Sequence, residues 1–102
     1  MKLKITSSAG NVFRDVGFPR KEAEHLLVRA NLLVSVQEEI TRRGLTQAAA
    51  AKILRVHPPR VSDMMRGRID LFSIETLIDM LARLGLRVTL VTRRIRKRAG
   101  AA

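Results

Sequence analysis

The 102-residue chain has no cysteine, tryptophan or tyrosine, and its three phenylalanines bring the aromatic share to 3%. Without cysteine there is no disulfide framework, no thiolate zinc site and no cysteine nucleophile, a composition compatible with a reducing cytosol. Without aromatics the core must be aliphatic, and at 46% apolar residues there is enough material for one. The same shortage leaves little with which to stack single-stranded bases. Acids are scarce too: nine Asp and Glu stand against twenty Lys and Arg, a net charge of +11. Such an excess predicts attraction to a polyanion, most often nucleic acid and occasionally an anionic membrane. No apolar run approaches a bilayer span, and the opening MKLKITSSAGNVF has no signal-peptide core. The expectation is a soluble, cytoplasmic protein of one domain. There is no carboxylate cluster for Mg²⁺, no zinc-ligand set and no activated nucleophile. His25 and His57 are the only histidines and lack ligand spacing. An enzyme, a metal and a cofactor are therefore not expected.

The positive charge is unevenly placed. Residues 82–102 carry Arg83, Arg87, Arg93, Arg94, Arg96, Lys97 and Arg98 with no acid, so +7 of the +11 lies there. KLKIT alternates polar and apolar, fitting a short strand or a loose arm, and SSAGN reads as a loop. After Pro19, Ala23, Leu26, Leu27, Ala30, Leu33, Val34 and Ile40 recur at steps of three and four, predicting a helix over 20–43 that Gly44 stops. Thr46 is placed to cap a short helix rich in alanine, ending near Leu54. A second short helix runs from Pro58 to about Arg66 and ends at Gly67. Ser73 opens a fourth, with Leu77, Ile78, Leu81 and Leu84 inward and Gly85 as stop. LRVTLVTR then changes period to two, with Leu86, Val88 and Leu90 on one face, which predicts a strand. The division is an arm over 1–19, a domain over 20–92 and a basic, disordered tail over 93–102.

Two short helices separated by three residues, Arg55 to His57, have helix-turn-helix spacing, in which the second helix enters the major groove. A small residue, Ala51, lets the second helix cross close above the first, with Val61 at the contact and Ile53, Leu54, Val56 and Met64 beneath. The stretch RVHPPRVSDMMRGR fits this plan. The first backbone N–H groups of a helix have no internal partner, so Pro58 and Pro59 can begin a helix that they would break in its middle. Prolines donate no hydrogen bonds, so base reading falls on His57, Arg60, Ser62 and Asp63. Arg60 is the candidate for a bidentate guanine contact, and Asp63 either accepts from a cytosine amino group or orients Arg60 or Arg66. Over residues 42–68 the basic groups Arg42, Arg43, Lys52, Arg55, Arg60, Arg66 and Arg68 face Asp63 alone. A solvated basic face is the plain alternative to duplex binding.

RGLTQAAAAKILRVHPPRVSDMMRGRIDLFSIETLIDMLARLG resembles the Xre/Cro-type helix-turn-helix domain. The flanks SSAGNVFRDVGFP and LGLRVTLV resemble the HigA-like antitoxins. The resemblance implies an all-α, five-helix lambda-repressor-like fold with a short C-terminal strand. It also implies a repressor that binds a double-stranded operator as a homodimer and neutralises a RelE-like ribonuclease toxin. Carried over by position, Thr46 and Gln47 hold a phosphate, and Pro58, Pro59 and Asp63 stand where base contacts are made. Arg66 and Arg68 grip the backbone around Gly67. Two positions depart from the pattern: Arg55 replaces the usual glycine of the turn, where a left-handed conformation carries strain of order 1 kcal/mol, and His57 replaces the usual Ser or Thr cap. A regulator of the same type without a toxin is the nearest alternative.

The stripe Leu86, Val88 and Leu90 is most simply core, packed on the last helix, but a lone strand leaves an unpaired edge, which either its copy in a second subunit or Leu3 to Thr6 of the same chain would satisfy. Phe13, Val16 and Phe18 form either a toxin-binding surface or an arm folded on the long helix. A RelE-like toxin is itself expected to be basic, so the acids Asp15, Glu22, Glu24, Glu38 and Glu39 would have to provide the complementary patch.

Overall fold

The computed structural model describes residues 2–5 and 20–94. The order is β1 (Lys2–Ile5), α1 (Arg20–Arg42), α2 (Gln47–Leu54), α3 (Pro58–Met65), a single 3-10 turn (Ile69–Leu71), α4 (Ile74–Arg83) and β2 (Arg87–Leu90). The described residues thus hold four α-helices where the resemblance implies five. Gly67 ends α3 and Ser73 caps α4, and between them there is room only for the 3-10 turn. Past Gly85 the period of two yields a strand instead of another helix.

The fold is not purely helical. β1 pairs with β2 in parallel, in the register Lys2↔Arg87 to Ile5↔Leu90. Parallel neighbours need a long crossover, here everything between the two strands. The same-chain alternative for the strand's partner is therefore realised on one edge of β2.

α1 packs chiefly against α4, and α2 against α3. Leu32, Leu33, Val36 and Ile40 of α1 enter one aliphatic core with Ala50, Ala51 and Leu54 of α2, Val61 and Met64 of α3, Phe72, and Leu77, Met80, Leu81 and Leu84. Ile53, Val56, Leu86 and Val88 pack around its margin. Three expectations are corrected. On α1 the buried stripe is Ala23, Leu32, Leu33, Val36, Glu39 and Ile40, while Val34 lies 44% exposed. The α1 stripe follows the contact with α4, and Val34 falls on the opposite side of it. On α4, Met80 takes the inward place given to Ile78, which stands 37% exposed at the edge of the apolar face. On β2, Leu90 does not join the core beside Leu86 and Val88 but is 67% exposed, beyond the end of α4.

The four described α-helices end in the same way. The N–H of Leu45 donates to Ile40, Val56 to Ala51, Arg68 to Asp63 and Leu86 to Leu81. Each is the wide closing bond of a Schellman turn, which needs a left-handed residue just before the donor. Gly44, Gly67 and Gly85 supply it at φ +63°, +76° and +82°. At the end of α2 the residue is Arg55, at φ 57° and ψ 47°.

Among the described residues one carboxylate is buried. Glu39, 2% exposed, accepts hydrogen bonds from Arg42 at 2.5 and 3.2 Å and from Arg43 at 2.5 Å. Arg43 also donates to the carbonyl of Leu84, the C-cap of α4. The hydrogen bond from Arg42 is the main force holding the Glu39 carboxyl below its ordinary range; burial opposes it, and Arg43 adds to the lowering. Arg42 is correspondingly raised by Glu39.

Candidate nucleic-acid interface

Local chemistry places α2 and α3 as the sequence requires. The Thr46 hydroxyl accepts from the backbone N–H of Ala49 at 3.1 Å, capping α2. Gln47 is the first residue of that helix and is exposed. The turn Arg55 to His57 follows. His57 occupies the cap of α3 without a side-chain bond, and Pro58 and Pro59 fill the first two helical positions. The reason is the one read from the sequence: those two N–H groups would have had no partner inside the helix. Gln37 of α1 reaches the far end, its Nε2 donating to the Met64 carbonyl at 2.7 Å.

α3 buries Val61 and Met64 and turns the rest outward. His57, Pro58, Pro59, Met65, Arg66 and Arg68 are exposed, and Arg60, Ser62 and Asp63 are half-buried. Of the residues assigned to the interface, Thr46 and Gln47 lie at the start of α2, and the others lie on α3 or just beyond it. Three of the charged groups are already engaged. The Arg60 guanidinium lies over the Phe72 ring at 4.4 Å and donates through Nη2 to the Leu71 carbonyl at 3.0 Å. Asp63 is paired with Arg66, whose Nη2 donates to its carboxylate at 3.0 Å. Arg68 faces Asp70 loosely, at 3.9 Å.

Among the described residues no group of His, Asp or Glu is arranged to hold a metal ion, and no helix is long and apolar enough to cross a membrane. Phe13, Val16 and Phe18 lie outside the described residues, as does the chain beyond Arg94. Phe72, the platform for Arg60, is a site residue that neither charge nor spacing picks out in the sequence. Its signal was a lone aromatic just ahead of the cap of the last helix.

A family model described as a helix-turn-helix domain matches residues 12–93. The chain belongs to that family. A solved structure described as an XRE-family transcriptional regulator is 34% identical, with a TM-score of 0.68 over 76% of this chain and 89% of that one. No curated protein matches the chain. The Xre-type resemblance read from residues 42–85 thus extends to the fold and across most of the length, and the family is one of DNA-binding transcriptional regulators.

Proposed function

We propose that this Xre-type helix-turn-helix protein is a sequence-specific repressor that lays α3 in the major groove of an operator. The observation that carries the reading is the outward face of α3. A helix capped by His57 and begun by two prolines presents Ser62, Asp63 and Arg66 beside an exposed α2 start, on a segment whose one acid is neutralised by Arg66. Thr46 and Gln47 hold a phosphate at one end of the site, and Arg66 and Arg68 hold the backbone at the other. Because Pro58 and Pro59 offer only apolar contact, such as a thymine methyl, base preference comes from His57, Arg60, Ser62 and Asp63. Arg60 can approach a guanine only by leaving Phe72 and Leu71. The operator is bound by a homodimer, since two half-sites on a duplex suit a two-fold assembly.

The finer reading is an autoregulating antitoxin with a RelE-like toxin as partner. It is supported by the resemblance of the flanks and by the exposed Glu22 and Glu38, which stand on α1 and not on α2 or α3. Phe13, Val16 and Phe18 are its candidate contacts. Co-expression with the product of the neighbouring reading frame checks it: a stable complex is expected, and two proteins that purify apart would refute it.

Selection of duplexes from a random pool, followed by footprinting at low salt, tests the repressor reading. One protected motif with two half-sites is the expected result; no protected duplex would end it. Gln47→Ala should then weaken all operator variants alike, because a phosphate contact carries no sequence information. A loss confined to one base position would contradict the role given to Gln47.

A further inference from the structure

Arg55 is the single described non-glycine residue with positive φ. It takes the left-handed place that glycine fills at the other three helix ends. A β-carbon in that conformation crowds its own carbonyl, which is why the position favours glycine. The side chain offers no repayment within the fold: it is exposed, and no ion pair or side-chain hydrogen bond to it is found among the described residues. A strained residue whose side chain stabilises nothing inside the molecule is a candidate for a task outside it. Its location says which task. Arg55 sits in the turn between α2 and α3, two residues ahead of the cap of the proposed recognition helix. The ligand suited to an unpaired guanidinium there is the phosphate of a nucleic-acid strand beside the groove.

We propose that Arg55 is a DNA-backbone contact, retained at the expense of backbone strain in the turn. The inference rests on the repressor reading above and adds a binding residue to it. It also makes Arg55 a place where stability and affinity pull in opposite directions. Glycine at this position relaxes the backbone and removes the contact. Alanine removes the contact and keeps the strain. Lysine keeps the charge and the strain.

The test measures thermal unfolding and duplex affinity across a salt series for the full chain and for Arg55→Gly, Arg55→Ala and Arg55→Lys. Arg55→Gly should melt a few degrees higher yet bind roughly three- to tenfold more weakly, with the salt slope reduced by about 0.9 per bound chain. Arg55→Ala should bind as weakly without the gain in melting temperature, and Arg55→Lys should bind close to wild type. The loss should be equal on operator and unrelated duplex. Arg55→Gly binding with unchanged affinity and slope would overturn the proposal, as would a loss restricted to one base position. Arg55→Gly melting no higher than wild type would remove its premise of strain. A wild-type chain with no duplex affinity would instead sink the repressor reading, on which the proposal stands.

Discussion

Arg60 shows how a residue suited to one task can be held by another. Its guanidinium has a ring beneath it and a carbonyl at its edge, so it fastens α3 to the segment that leads into α4. Stacking over an aromatic face contributes about 0.5–1 kcal/mol at a partly solvated site, and a charged hydrogen bond to a carbonyl contributes somewhat more. Arg60→Ala should therefore lower stability by about 1–2 kcal/mol in urea denaturation. Arg60→Lys should recover little of that, since an ammonium cannot lie flat on Phe72 while it donates to Leu71. A stability equal to wild type in both variants would show that the stack is a passing conformation. Arg60 would then be free to read a base, as its place on α3 suggests.

At the scale of elements, what could be read from the sequence was whatever short-range chemistry decides. Thr46 and Ser73 cap their helices through bonds spanning three residues. Pro58 and Pro59 begin α3 because of the missing N–H partners of any helix start, and Gly44, Gly67 and Gly85 end helices because their own backbones can turn left-handed. The departure at Arg55 was legible for the same local reason. What could not be read depends on distant partners. The counting of apolar residues put Val34 and Ile78 inside because it cannot know which flank of a helix its neighbour covers. It also placed Glu39 among the surface acids, whereas Glu39 is the buried joint by which Arg43 reaches the end of α4. The signal was present as two arginines three and four residues further along, both on its helix face. The parallel pairing of β1 with β2 joins segments more than eighty residues apart, and a strand has two edges, so the sequence alone did not say which candidate partner takes which edge.

The Glu39 joint makes acid stability a test of this packing. Its carboxyl titrates lower in the folded protein than the ordinary value of 4.5. The stabilisation is thus complete above that value and is lost as the pH falls through the lower folded value. Glu39→Gln should cost about 1–3 kcal/mol near neutral pH, since it weakens the charged hydrogen bonds from two arginines. Its disadvantage against wild type should shrink as the medium becomes more acidic than about pH 4. Equilibrium unfolding across pH checks this: a difference between the two proteins that stays constant down to pH 2 would mean that the ion pairs contribute nothing linked to protonation.

For the whole molecule, the sheet sets the question of assembly. Among the described residues β1 covers one edge of β2 and no strand covers the other, and an uncovered edge is a template for pairing. Leu90 and Val91, 67% and 40% exposed, lie at the same end of the fold. A second copy pairing its own β2 there would cover both apolar groups and give the two-fold axis that an operator with two half-sites requires. Leu86 and Val88, by contrast, already pack against the core, so removal of residues 86–102 tests the interface and the fold together. Leu90→Asp separates them, because it places a charge at an exposed position and takes nothing from the core. On the proposed two-fold assembly the wild type should sediment as a dimer and both variants as monomers, and Leu90→Asp should keep its helical circular dichroism. Operator affinity should fall much further than affinity for unrelated duplex, since one half-site retains its phosphate contacts but loses the linkage to the second. A dimer that survives both changes would move the two-fold axis away from the sheet and onto the helices.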